Sequence, residues 1–388
     1  MTNSELRESF GYILSRKNHF AKFQFNNIIL THIGFVLVLI LAFPFPLLFS
    51  LFLDNKVNKL KLLKTITIVR TYNTLKIAEL LKIHNDFDIL SLSVKGDNYF
   101  SKFHLIISLL SDYNIYLNYF YVIKDPFLRL NLIRVLKVTG FSNLEKKIIS
   151  THKFHKIIQF NDHSPESLYM VKLCEENRVT SVYVQHAPVS SEFPALYHNE
   201  NYLFSEDSFN KYSIVHDRIK THIRFDIRFL KGLNYKGVEK NKNKILLCPN
   251  LLDDILVVQS TAYELIKLKF EVVIRMHPAD SRKLNKDLHQ SSNIDVWKDL
   301  ATSNIVVTNE SAIPLEAIFL DCLIYKASFW GENNDAYNFL SHKLILKDLH
   351  NNESLLKSIY NNEILFDRQK LSYYIGEVTF NSKFMINE

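Results

Sequence analysis

Cysteine is scarce in this chain: Cys174, Cys248 and Cys322 are the only three among 388 residues. They stand far apart and form no CxxC, which argues against a disulfide framework or a structural zinc site and fits a reducing compartment. Glycine and proline are also few, at 8 and 9, so a collagen-like or low-complexity chain is excluded. Basic residues never run five or six together; the nearest approach is Lys56, Lys59, Lys61 and Lys64. Lys and Arg (47) exceed Asp and Glu (40) only mildly, for a net charge of +7. Nucleic-acid binding would want such charge gathered on one face, so no nucleic-acid partner is expected.

Between Phe23 and Leu53 there is no Asp, Glu, Lys or Arg at all. The part from Ile33 to Leu53 is long enough to cross a bilayer, which takes about 20 apolar residues. It begins too late for a signal peptide, and Pro44 and Pro46 would kink or fold back a helix there. Arg16, Lys17 and Lys22 precede it and Lys56 to Lys64 follow. Charge on both flanks suits a segment dipping into an anionic leaflet; a buried helix or an oligomer contact is the alternative.

What is present is otherwise ordinary globular material, 47% hydrophobic and 22% charged, in a chain long enough for two or three domains. After Lys64, short apolar runs alternate with amphipathic ones. Strands are predicted at 65–70, 88–94, 114–123, 156–162 and 181–187, with helices at 73–84, 128–140 (ending at Gly140) and 164–179. Beyond a polar, basic linker at 231–244 the alternation restarts. Strands are predicted at 244–250, 270–278, 294–297, 304–311 and 322–328, with helices at 253–269 and 314–321. Strands alternating with helices mean βαβ units and parallel sheets. The expected fold class is therefore α/β: two Rossmann-like domains facing a central cleft, behind an apolar, membrane-associating helical segment. The expected division is 1–64 for that segment, 65–235 for the first domain and 236–388 for the second.

In such folds ligands bind where strands end, and four predicted strand ends carry polar clusters. Arg275-Met276-His277-Pro278 places Arg275 and His277 on one face of an extended strand. A guanidinium beside an imidazole suits a phosphate, which Arg can hold bidentately while His donates a hydrogen bond or a proton. Thr308-Asn309-Glu310-Ser311 runs into the helix at Pro314, where Ser311 and orphan N–H groups favour an anion. Glu316, in the first turn, is placed either to accept hydrogen bonds from ribose hydroxyls or to favour the helix dipole. In the first half, Asn161-Asp162-His163 and Gln185-His186-Ala187-Pro188 offer Asp162 or His186 as a general base towards an acceptor hydroxyl. His163, Gln185 and Glu192 are the acceptor-side candidates. No Asp-x-Asp pair stands at the carboxyl end of a predicted strand, so no metal and no other cofactor is expected.

The RMHP strand end and the downstream TNESAIPLEAIFLDCLIYKAS resemble the donor-binding half of GT-B glycosyltransferases. The resemblance extends to bacterial sialyltransferases and polysialyltransferases with an HP motif, and to the CDP-glycerol glycerophosphotransferases. It implies that His277 and Ser311 contact the donor phosphate; Arg275, Pro278, Asn309 and Glu316 are the other donor-side candidates of the residue reading. NDHSPESLYMVKLCEENRVTSVYVQHAPVSSEFPAL, residues 161–196, is similar to the acceptor half of surface-polysaccharide enzymes. Departures are plain: there is no acidic pair followed by Gly, Ala187 stands where the glycerophosphotransferases carry Gly, and only one Ser follows Asn309. The resemblance implies an inverting, metal-independent transfer of a sugar, from a CMP-sugar by preference, to a lipid-linked or oligosaccharide acceptor in capsule or lipopolysaccharide synthesis. That places the chain at the cytoplasmic face of a bacterial inner membrane, with homo-oligomerisation left open. A CDP-glycerol-type polyol-phosphate transferase, a non-catalytic membrane-anchored scaffold and a nucleotide-sugar epimerase are the alternatives.

Overall fold

The structure, a computed structural model, describes residues 36, 42, 45–111, 132–161, 164–190, 195–212, 220–278, 280–331 and 334–386. Two all-parallel sheets organise it. The first holds β1 (Thr65–Val69), β2 (Asp88–Ser91), β3 (Lys156–Gln159), β4 (Thr180–Val184), β5 (Glu200–Leu203) and β6 (Lys220–Ile223), in the order β2-β1-β3-β4-β5-β6. The second holds β7 (Asn241–Cys248), β8 (Glu271–Ile274), β9 (Ser303–Thr308), β10 (Leu323–Ala327) and β11 (Asp348–Leu349), in the order β11-β10-β9-β7-β8. Both are doubly wound, with the strand order reversing between β1 and β3 and between β7 and β9. Ligands of such sheets bind outside the strand ends at those reversals.

The interior strands are short apolar runs because helices cover both faces of a parallel sheet. On one face of the first sheet lie α1 (Pro46–Asn58), α3 (Lys102–Leu110), α4 (Leu132–Thr151) and α5 (Pro165–Glu176), around Ile66, Ile68, Phe141, Leu144 and Ile157. α2 (Tyr72–Lys82) covers the other face, around Val69, Ile89, Ile158 and Val184. Thr71 starts α2 by capping: its hydroxyl accepts from the Thr74 amide, and the Thr74 side chain reciprocates, the box arrangement that satisfies two orphan donors. Ser164 caps α5, its hydroxyl accepting from the Ser167 amide, with Pro165 in the first turn. The second sheet is flanked by α8 (Ile255–Lys267), α9 (Val296–Thr302), α10 (Ile313–Phe319) and α11 (Asn352–Tyr360). Short helices α6 (Glu206–Lys211), α7 (Arg228–Leu233) and α12 (Leu371–Ile375) lie where the two units meet.

Several sequence expectations are corrected here. Gly140 does not stop a helix: α4 runs through it to Thr151. A Cβ at Gly140 would lie 2.8 Å from the Leu105 carbonyl oxygen, so the glycine serves the close crossing of α4 over α3. Gly140→Ala is expected to cost about 2–3 kcal/mol, since backbone oxygen cannot rotate away; chemical denaturation would read it. Residues 294–297 are not a strand, because the Asp295 side chain accepts from the Trp297 amide and opens α9. Within the expected membrane segment, Leu53 and Val57 are fully buried in the first core, so α1 belongs to that unit. Nor does the chain's end stay with the second sheet: Phe384 and Ile386 are buried against α2 and β5 of the first. The rest of the apolar stretch and the strand expected at 114–123 lie outside the described residues. Among the described residues, no helix is long and apolar enough to cross a membrane.

Candidate functional site

A cleft of about 1010 Å³ runs between the two units. From the first it is lined by the outer face of α2 (Tyr72, Lys76), by His84 just beyond that helix and by His186 and Ala187 beyond β4; from the second by Arg275, Pro278, Ile294, Asp295 and Glu316. Arg228 and Lys231 of α7 line it where the chain passes between the units. It thus opens between strand ends, as the doubly wound sheets require.

Three charged groups meet here that the sequence reading did not connect. Asp226 is fully buried and holds Arg228 at two points, Nε to Oδ1 at 3.0 Å and Nη2 to Oδ2 at 2.5 Å. Arg228 Nη1 lies 3.4 Å from Glu316 Oε1. Asp226 precedes α7 and Glu316 sits in α10, so Arg228 ties the first unit's exit to the second unit. Burial raises the Glu316 carboxyl to about 7, against the pull of Arg228 and with a further push from Asp226. Glu316 is only 6% exposed, and its Oε2 has no hydrogen-bond partner. A buried acceptor left unpaired costs about 1–3 kcal/mol, so this oxygen is poised for a donor from outside. Burial works against the Arg228 charge, but the two carboxylates outweigh it and keep the guanidinium firmly protonated. A second bridge crosses nearby: Lys231 Nζ to Asp295 Oδ2, at 2.7 Å. Burial would raise Asp295, yet Lys231 and the Trp297 amide bring its carboxyl below the usual range.

The candidates named from sequence divide into two groups. Arg275 reaches the cleft, but its guanidinium is engaged with Asp299 at 2.5 Å and with the carbonyls of Asn293 and Ile294; it anchors the loop that precedes α9. His277 is exposed on the loop after β8, with its carbonyl accepting from the Asp280 amide. Asp280 in turn clamps Arg282, which also reaches the carbonyls of Asn250 and Asp253. That chain of bonds fixes the His277 loop to the end of β7. Asn309 is buried and donates to Asp253 Oδ1 at 2.8 Å, across the reversal between β7 and β9. Ser311 accepts from the Ile313 amide at 3.2 Å and so shapes the entry to α10.

In the first unit Gln185 is fully buried. It donates to the Ala187 carbonyl and the Ser208 hydroxyl and accepts from the Phe204 amide, which locks the end of β4 to β5. His186, next along, lines the cleft. Asp162, His163 and Glu192 lie outside the described residues. At the end of β1, Arg70 is paired with the fully buried Glu145 of α4, whose carboxyl burial raises to about 7 against the pull of Arg70. Among the described residues, no three His, Cys, Asp or Glu side chains converge as metal ligands.

Asp226, Arg228 and Lys231 escaped the sequence reading because the strand they follow, β6 (KTHI), has no apolar run to announce it. The one signal was the spacing of Asp226 and Arg228, two residues apart and flanked by apolar residues.

No family model and no curated protein matches this chain. Solved structures do. One is a putative UDP-N-acetylglucosamine 2-epimerase from Listeria monocytogenes, with a TM-score of 0.52 and 12% identity, covering 83% of this chain and 93% of its own. Another UDP-N-acetylglucosamine 2-epimerase structure has a TM-score of 0.50 and 12% identity, over 82% and 93%. The wall teichoic acid polymerase TagF has a TM-score of 0.47 and 12% identity, over 96% and 92%. At these identities the likeness to the two epimerase structures is one of fold alone: two Rossmann-like units in the GT-B arrangement.

Proposed function

We propose that the chain is an enzyme that binds a nucleotide-activated donor in this cleft and transfers its activated group, a sugar in the leading reading, to an acceptor hydroxyl. The observation that carries the reading is Glu316 Oε2, a buried and unpartnered carboxylate oxygen on the second unit's wall of the cleft. A ribose offers the adjacent hydroxyl donors that such an oxygen lacks. Arg228 and Lys231 line the same cleft, each held in place by carboxylates, Asp226 and Glu316 for the first and Asp295 for the second, and His277 lies on the loop after β8, next to the lining residue Pro278. Charge developing on a departing phosphate is stabilised by groups of this kind already in place. His186, on the opposite wall, or Asp162, the other strand-end candidate of the first unit, takes the acceptor proton. No metal is part of the proposal.

The fold likeness supports a nucleotide-sugar ligand, since the two neighbours with the higher TM-scores are UDP-N-acetylglucosamine 2-epimerases, one of them putative. It does not choose between transfer and epimerisation, nor does it favour a cytidine donor. The cytidine preference rests on the RMHP resemblance alone, and a polyol-phosphate transferase would use the same groups. Thermal shift against CMP, CDP, UDP, GDP and ADP tests the reading, because a ligand of the native state raises stability by RT ln(1 + [L]/Kd). The expected result is a selective upward shift with one pyrimidine nucleotide. No shift with any of the five would overturn the proposal. Release of free nucleotide only when acceptor is added marks a transferase, whereas interconversion of two sugar nucleotides without acceptor marks an epimerase.

A further inference from the structure

Among the described residues, the first unit carries an apolar surface that no other described element covers. α1 buries Pro46, Leu53 and Val57 on the core, one stripe at helical spacing. Its opposite side in the first two turns is Leu47, Leu48, Leu51 and Phe52, and all four are exposed, Leu47 by 66%. From α3, Phe103 (58% exposed) and Ile106 join this surface; the Phe52 and Phe103 rings meet edge to face with centroids 6.4 Å apart. A helix apolar on both sides is normally buried on both. Scattered exposed leucines need no explanation, but a contiguous patch of this kind marks a docking surface.

The charge around the patch points to its partner. Lys102 precedes Phe103, and Lys59, Lys61 and Lys64 continue from the end of α1; all four are exposed. Lys56 lies over the Phe100 ring at 4.8 Å. The one acid on α1, Asp54, is neutralised by Lys147 at 2.7 Å. Apolar side chains in the middle and unpaired lysines beside them match the acyl boundary and the anionic headgroups of a bilayer, respectively. A second protein would call for acids to meet those lysines, or for polar groups inside the patch.

We propose that the α1–α3 face seats on an anionic bilayer surface, with Leu47, Leu48, Leu51, Phe52, Phe103 and Ile106 entering the headgroup boundary. The face lies on the α1 side of the first sheet, opposite α2, so docking leaves the cleft open. The inference is independent of the donor reading, because neither surface shares residues with the other.

The test uses the full chain. The three native cysteines are buried, so Leu51→Cys can be labelled selectively with an environment-sensitive fluorophore. Tyr360→Cys on α11, 82% exposed, is the control. Phosphatidylcholine vesicles containing about one third phosphatidylglycerol should shift the Leu51 label to the blue and leave the control unchanged. Phosphatidylcholine alone should give a weaker response, as should high salt. Leu48→Glu with Phe103→Glu should lower vesicle binding by about tenfold or more, with thermal stability and the nucleotide-induced shift retained. An unchanged Leu51 label on anionic vesicles overturns the proposal. So does a blue shift that appears without vesicles and grows with protein concentration, which would assign the face to a second copy of the chain.

Discussion

Glu316→Gln is expected to weaken nucleotide binding by about 10- to 100-fold and to leave the fold intact. The carboxylate is charged when it accepts, and a hydrogen bond to a charged group contributes about 1.5–3 kcal/mol, which sets that range. Gln keeps the shape and one acceptor oxygen but loses the charge that faces Arg228. The pH dependence gives a second readout. The carboxyl is raised to about 7 by burial, so below that pH it is largely protonated and accepts poorly. Wild-type affinity should therefore climb between pH 6 and pH 8, about the raised value, while that of Glu316→Gln stays flat. The unliganded protein should show the opposite trend. A carboxyl whose folded value lies above its unfolded one adds stability at pH values under the unfolded value, and that stability is lost as pH rises through the folded one. The same ionisation that costs the empty cleft stability thus equips it for ligand. Calorimetric titration at three pH values would measure this, and an unchanged affinity in Glu316→Gln would remove Glu316 from the site.

The parts of this molecule that could be read from sequence are those where one local pattern suffices. TITIV, TSVYV, ILLC and IVVT are apolar because each lies in a sheet covered on both faces, and they became β1, β4, β7 and β9. β5 and β6 went unread: ENYL is half polar and KTHI, at the sheet edge, faces solvent for much of its length. The cleft was anticipated at strand ends, and His186, Arg275, Pro278 and Glu316 do line it. What each side chain does there was less accessible. Arg275 and His277 share a face in an ideal strand, but β8 ends at Ile274, and Asp299 from the next helix claims the guanidinium. Gln185 is polar at a strand end for an internal reason, the tie to β5. Such assignments depend on a partner far along the chain, which only packing supplies. The same holds for Arg228, whose tie to Glu316 joins α7 to α10.

Gly376→Ala is expected to be the most damaging of the small substitutions, because two requirements meet at one residue. Its φ of +71° and ψ of −173° fall where side chains are rarely tolerated. A Cβ there would also lie 2.5 Å from the Arg224 carbonyl oxygen, 2.8 Å from that of Phe204 and 2.9 Å from the Phe225 Cα. All three are backbone atoms, and none can turn aside. Backbone strain of about 1–3 kcal/mol together with overpacking of about 1–3 kcal/mol gives an expected loss of roughly 2–6 kcal/mol. The position explains why the loss should spread. Before Gly376, Leu371, Tyr374 and Ile375 pack in the second unit's core, and the Ile375 carbonyl accepts from the Asp226 amide at 2.8 Å. After it, Asn85 holds the Phe384 carbonyl and the Ile386 amide in the first unit, and Tyr202 donates to the Ile386 carbonyl. Gly376 is therefore the turn by which the chain's end straps one unit to the other, directly behind Asp226 and the Arg228–Glu316 bridge. If Gly376→Ala merely released the strap, limited proteolysis would cut beyond residue 376 while both cores melted near the wild-type temperature. If the turn is needed to hold the units in register, the melting temperature and nucleotide binding should fall together, and Asn85→Ala, which loosens only the far end of the strap, should reproduce a smaller share of both losses. A Gly376→Ala protein within about 1 kcal/mol of wild type would show that the strap adapts, and that the Arg228 bridge alone keeps the cleft walls facing.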